Sequence, residues 1–334
     1  MSKCDVRIEL DRNSQIYSLG DKLNCEVHVS VDKPVECNKL VLRRSWYTHG
    51  RGNVDSQDLQ VITLFKGEWQ PGEYRYPVAF DIDSGPLTYR GHNINVDWQL
   101  EVRADIPWSI DPRSSVDFIV ERGDAELPTQ LDEEDTAPGQ NAIDMDKYRP
   151  YLLIVPLIFM SIGAGIGFFG WSDNDPFTLI FGSIFFLAGL IAGFFMIRNS
   201  LAQRKLGKVN VRITPNRLRP GEEAVVYLDF TPRSPIDLKH ITAKLYAAEK
   251  AVSGSGTNRT THTHTLYSET YELSGPMTLA EGMPVQRKFR FTIPPEGPCT
   301  FIAADNRIEW KLEIHIDIDN WPDWVKDETI PVVL

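Results

Sequence analysis

Two kinds of hydrophobic pattern divide this chain. Over residues 4–120, and again over 208–334, apolar and polar residues alternate in short segments. Between them alternation gives way to two unbroken apolar runs, Tyr151–Trp171 and Pro176–Ile197, neither of which contains a charged residue. Each run is about 21 residues, and at ~1.5 Å of rise per residue it matches the ~30 Å hydrocarbon core of a bilayer. Only Ser172, Asp173, Asn174 and Asp175 separate the runs, too few to carry a domain or re-cross a membrane. The pattern predicts an antiparallel transmembrane hairpin over 148–200, with spans 151–171 and 176–197 and both flanking halves on one side of the bilayer. A pair of buried core helices in a soluble protein is the other account. Such helices rarely stay uncharged for this long, and two in a row are rarer.

The alternating segments predict β-strands. Asp5–Leu10, Lys22–Val31 and Leu40–Trp46 have period two, and turn sequences such as Asp32-Lys33-Pro34, Gln70-Pro71-Gly72 and Ser84-Gly85-Pro86 punctuate them. Asn93–Ile106 is the clearest case. Ile94, Val96, Trp98, Leu100, Val102 and Ala104 share one face, while Asn95, Asp97, Gln99, Glu101, Arg103 and Asp105 share the other. Such a strand has one face in a core and one in water. No amphipathic helix interrupts the series, and many short strands at this spacing predict an antiparallel sandwich.

The second half echoes the first. Lys22–Val29 is matched by Ala224–Phe230, Asn38–Tyr47 by Lys239–Ala248, Tyr76–Ile82 by Lys288–Ile293, and Asn93–Trp108 by Asn306–Trp321. Two tandem copies of one β-sandwich, split by a membrane insert, account for these pairs economically.

The order of elements resembles the arrestin fold. PGEYRYPVAFDI (Pro71–Ile82), a Gly-Pro turn and then INVDWQLEVRADIPW (Ile94–Trp108) resemble the late strands of an arrestin amino-terminal domain, and Ile16–Leu23 resembles its early strand and turn. The wider clan includes arrestin-domain-containing trafficking adaptors, sorting-complex subunits and sporulation-control proteins. The resemblance covers both soluble halves. It implies an all-β protein of two tandem arrestin-like antiparallel β-sandwich domains, 1–120 and 208–334, with a non-catalytic binding role. The hairpin departs from the family, whose domains are joined by a short hinge. Nothing matches the buried charged cluster or receptor-sensing residues of signalling arrestins, so no phosphoreceptor switch is implied.

Charge refines this picture. The net charge is −11, which does not support a nucleic-acid partner. Much of it lies in Glu121–Asp146, where nine acidic residues face one arginine, so 121–147 is expected to be a solvated, loosely held linker. Lys147 and Arg149 precede the first span, and Arg198, Arg204, Lys205 and Lys208 follow the second. The connecting loop has two aspartates and no cation. The positive-inside bias places both termini and both β-domains in the cytoplasm and loop 172–175 outside. Tyr148, Tyr151 and Trp171 sit at interfacial positions. The N-terminal sequence lacks the apolar core of a signal peptide, and Cys4, Cys25, Cys37 and Cys299 form no disulfide framework or zinc pattern, in keeping with a reducing compartment.

Candidate chemistry is sparse. His262 and His264 would point the same way on a strand, as a shared metal requires, but no third ligand stands near and an exposed strand face explains them. Asp81 and Asp83, like Asp317 and Asp319, alternate with apolar residues as surface positions should. No nucleophile elbow, P-loop, dinucleotide fingerprint or zincin motif is present, and no cofactor or metal site is expected. Within the spans, Gly163/Gly167 and Gly189/Gly193 form two GxxxG pairs, candidate sites of close helix packing within the hairpin or between copies. Neither span contains an ionisable residue, which favours an anchor over a conduit. The expected function is a membrane-anchored adaptor or scaffold, with the bilayer and cytoplasmic proteins as partners. The alternatives are a membrane-complex subunit docked through the hairpin, with homo-oligomers a possibility not indicated by the sequence, and a membrane-bound β-sandwich hydrolase.

Overall fold

The computed structural model describes residues 4–123 and 154–334. Nearly all of the expected acidic linker, and Lys147, Tyr148, Arg149 and Tyr151 at the entry to the first span, lie outside the described residues. The chain consists of two β-domains flanking a helical hairpin.

The first domain contains β1 (Cys4–Leu10), β2 (Ile16–Ser18), β3 (Lys22–Val31), β4 (Val35–Gly50), β5 (Ser56–Trp69), β6 (Gly72–Asp81), β7 (Tyr89–Arg90), β8 (Ile94–Asp105) and β9 (Arg113–Glu121). One sheet has the order β1-β3-β6. The other runs β2-β9-β8-β4-β5, with β7 beside β8. Pairing is antiparallel except between β2 and β9. Both sheets contribute alternate residues to one core: Val27, Val29 and Val31 from β3, Leu40 and Leu42 from β4, and Trp98, Leu100 and Val102 from β8. Burial of such side chains contributes about 1.5–3 kcal/mol each, and this apolar face fixes the register of every strand.

The second domain contains β10 (Asn210–Thr214), β11 (Glu223–Phe230), β12 (Ile236–Ser253), β13 (Thr260–Ser274), β14 (Met277–Leu279), β15 (Val285–Thr292), β16 (Phe301–Ile302), β17 (Asn306–Ile318) and β18 (Trp324–Ile330). Its sheets are β10-β11-β15 and β13-β12-β17-β16, with β14 beside β12 and β18 beside β17. Ile308, Trp310, Leu312, Ile314, Ile316 and Ile318 along β17 are all buried, as the alternation requires.

The two domains repeat one another's bonds. The indole of Trp98 donates to Pro86 O (2.9 Å), and that of Trp310 donates to Pro298 O (2.8 Å), each reaching twelve residues back. Thr88 exchanges two hydrogen bonds with Val120, one from each backbone N–H, and Thr300 does the same with Val332. After β8, Asp111 binds Arg103; after β17, Asp323 binds His315. In that register Trp108 corresponds to Asn320, and both have left-handed backbone (φ 58° and 53°). The sequence echo that matched Asn93–Trp108 with Asn306–Trp321 is therefore one residue out at both ends.

The hairpin comprises α1 (Ile154–Ser172) and α2 (Pro176–Leu206). Both helices have stretches long and apolar enough to cross a membrane, and large apolar side chains such as Phe168, Phe169, Phe177 and Phe195 point outward around them. A helix apolar on all sides is suited to lipid. α2 does not stop at Ile197, where the expected second span ends, but continues through polar residues to Leu206.

Candidate functional site

Three places join the parts of this molecule: the seam within the hairpin, the junction of α2 with the second domain, and the seam between the β-domains.

The hairpin turn is tight. Asp173, Asn174 and Asp175 N–H groups donate back to Phe169, Trp171 and Gly170 carbonyls. Asp175 then caps α2, accepting from Phe177 N–H (3.1 Å) and from the Thr178 hydroxyl (2.5 Å), with Pro176 opening the helix. This forces the helices side by side. A Cβ added at Gly163 would fall on the backbone of Phe186, one at Gly170 on Leu179, and one at Gly182 on Gly167. At Gly189 it would lie 2.9 Å from both Met160 N and Pro156 O. Of the four glycines expected from the GxxxG pairs, Gly163, Gly167 and Gly189 therefore lie in the contact. Gly167 lies under Gly182 but its own Cβ direction is open, and Gly193 meets only Pro156 Cβ at 3.6 Å. The pattern missed Gly170 and Gly182. The close contacts recur every seven residues on each helix, the period of an antiparallel left-handed pair.

At the junction, the last turns of α2 enter the second core. Ala202 and Leu206 are fully buried among its residues. The Trp321 indole, just after β17, donates to Leu201 O (3.0 Å), while the Lys205 ammonium sits 4.3 Å from that ring's centre. Arg233 N–H donates to Lys205 O (2.7 Å). Gly207, at φ 75°, ends the helix where a Cβ would meet Thr231 O.

The domain seam is polar and closely fitted. Glu249 on β12 has no exposed surface. Its carboxylate accepts from Tyr89 OH (2.7 Å), His92 N–H (3.1 Å) and Asn93 N–H (2.6 Å) of the first domain. Burial first, and then this carboxylate, push the Tyr89 phenol well above its ordinary value. The Asn306 amide at the start of β17 donates to Thr48 Oγ1 (3.0 Å), Asn53 O (2.7 Å) and Asp55 Oδ2 (2.8 Å). Trp46 meets Phe301 edge-on at 5.4 Å, and His92 stacks on His264 at 4.2 Å. Side chains at Gly52 and Gly91 would overlap Asn306 and Glu249 respectively, so the seam requires glycine at both.

The remaining candidates are separated. His264 is stacked on His92, whereas His262 lies 3.2 Å from Ser253 Oγ. Among the described residues no group of three or more His, Cys, Asp or Glu side chains is placed to hold a metal. Asp317 and Asp319 pair with Lys239, Asp81 with Lys22, and Asp83 with Arg44. Burial pushes the Cys25 and Cys37 thiols up to about 12 and about 11, away from nucleophilic chemistry.

No family model and no curated protein matches this chain. Among solved structures it is similar to Spo0M, a sporulation control protein from Bacillus subtilis, at 21% identity and a TM-score of 0.31. That match covers 38% of this chain and spans about half the length of the other, 49%.

Proposed function

We propose that this protein is a membrane-anchored, non-catalytic adaptor of two arrestin-like domains derived by internal duplication. The hairpin crosses the bilayer, and both β-domains lie at its cytoplasmic face and bind partner proteins there. The observation that carries this reading is the unbroken course of α2 from its apolar stretch into the second core. A helix so fixed at both ends orients a domain as well as tethering it. The strand order of each domain, the matched bonds on either side of the hairpin and the cations following the second span support the remaining parts.

The test is purification of the full chain from native membranes, beside a variant with ten flexible glycine and serine residues inserted between Ser200 and Leu201. A partner held by the native chain and lost from the insertion variant is the expected result. Retention of every partner by the variant would remove orientation from the reading, and turnover of a small molecule by the purified chain would overturn the adaptor. Labelling an engineered cysteine at Ser172 in intact cells checks topology, since labelling only after permeabilisation reverses the orientation.

A further inference from the structure

The outer face of the second domain's smaller sheet carries charge that its own residues do not neutralise. On that face Arg212 of β10 stands opposite Tyr227 of β11, and Tyr227 stands opposite Lys288 of β15. All three are exposed, and the two cations lie 5.9 Å and 5.4 Å from the ring centre. Among the described residues neither Arg212 nor Lys288 has an ion pair, whereas Arg290 beside them binds Glu223 (3.0 Å). The surplus extends to the flanks: residues 198–235 and 285–292 hold eleven Lys and Arg against three Asp and Glu. The matching sheet of the first domain differs. There Arg7 pairs with Asp5, Lys22 with Asp81 and Arg75 with Glu26, and the strands β1, β3 and β6 hold five carboxylates against three cations. The shared frame therefore does not call for a basic face.

The opposite charge belongs to the same chain, and its course leads along this domain. Residues 124–146 hold eight carboxylates and no cation. The first domain ends just before them, at the seam. Burial pushes the Cys299 thiol up and the Arg122 charge opposes that push, so this end lies beside the loop that follows β15. The chain resumes at Ile154, in the helix that meets Gly193 of α2 through Pro156. The basic sheet spans the interval. Its strands run from the seam, where Cys299 follows β15, to α2, whose terminal Gly207 lies against Thr231 at the end of β11. Eight strand residues and the helix from Gly193 to Leu206 make roughly 45 Å, at ~3.3 Å and ~1.5 Å per residue. The thirty residues 124–153 reach about 100 Å when extended, enough to lie against a sheet on the way. Charge selects which sheet, because the strands of the domain's other sheet hold nine carboxylates against six cations.

We propose that the acidic segment 124–146 docks on the Arg212–Tyr227–Lys288 face of its own chain, its carboxylates pairing with the cations that the domain leaves unpaired. This goes beyond the adaptor reading and does not need the hairpin to cross a bilayer. The experiment uses the full chain with Cys299→Ser in a neutral detergent, the other three cysteines being buried. Nitroxides are attached through Thr136→Cys and Thr292→Cys, and their separation is read by electron paramagnetic resonance. One narrow band of short distances is expected. It should be lost at an ionic strength of about 1 M, where exposed charges are screened, and lost in Arg212→Glu with Lys288→Glu. Replacing Asp132, Glu133, Glu134 and Asp135 by Lys in that variant should restore it. A broad distribution in the unaltered face, or a band that survives Arg212→Glu with Lys288→Glu, would overturn the proposal. Dilution with excess unlabelled chain should leave the band unchanged, and its loss would assign the face to the segment of a second copy and overturn the proposal. A broad distribution in detergent, with the label at 292 shielded only when phosphatidylglycerol is added, would assign the face to anionic lipid and overturn it equally.

Discussion

The two β-domains share a frame and differ in what meets it. Trp98 and Trp310 make the same bond, Thr88 and Thr300 close the same corner, and Asp111 and Asp323 tie matching loops. In the second domain the loop after β17 is covered by a helix, and Trp321 packs. In the first no described element covers the matching loop, and Trp108 stands in water. The comparison separates what the fold needs from what the arriving helix adds. The tryptophan inside each sheet belongs to the fold, whereas the tryptophan at each tip belongs to its surroundings.

The strongest way to break this equivalence is to remove the inner tryptophans. Trp98→Ala and Trp310→Ala should each cost about 3–5 kcal/mol, and domain-resolved protease protection should show similar losses. A much smaller loss in one domain would mean that the shared bond serves different ends. Next is the surface where the domains meet. Glu249→Ala leaves two backbone donors and the Tyr89 hydroxyl unpaired, at about 1.5–3 kcal/mol, and small-angle scattering should report separated domains while each remains folded. Tyr89 also makes this seam pH-sensitive. Its folded-state value is raised, so its contribution is present in full below the ordinary 10.0 and is lost as pH climbs above it. The seam should loosen in strong alkali, and less so in Tyr89→Phe.

The hairpin offers a test in which neighbouring residues give opposite results. Gly163→Leu or Gly182→Leu would place side chains on facing backbone, with an overpacking cost of about 1–3 kcal/mol. Gly165→Leu points into open space and should be tolerated. Thermal aggregation in detergent would rank the three, and equal effects would contradict the seven-residue seam. The smallest change is Trp321→Phe, which removes the bond to Leu201 O for about 1 kcal/mol. Amide exchange should rise near Ala202–Leu206 and stay unchanged in the first domain.

Much of the fold was legible because strands announce themselves by period and long apolar helices by an unbroken run. The alternation along Ile94–Ala104 named the buried face of β8, and two uncharged runs named the hairpin. The contacts between elements were harder to read. The GxxxG spacing singled out Gly193, which stands off from the facing helix, and passed over Gly170 and Gly182, which lie seven residues from Gly163 and Gly189 in the contact. Glu249 sits in the sequence AAEKA and reads as a solvated charge. It is buried because the other domain, distant in sequence, closes over it. The continuation of α2 left a fainter signal, since Ala202 and Leu206 are four apart in a polar stretch and share one face of the helix.

A helix without a break has no hinge. α2 has 31 residues, about 46 Å at 1.5 Å per residue, and its far end is wedged into a β-domain. If it tilts by roughly 10° to suit a thinner bilayer, that end sweeps about 8 Å, and the domain must swing with it. Membrane thickness would then act on the second domain as a lever acts on its load, without any ligand being bound.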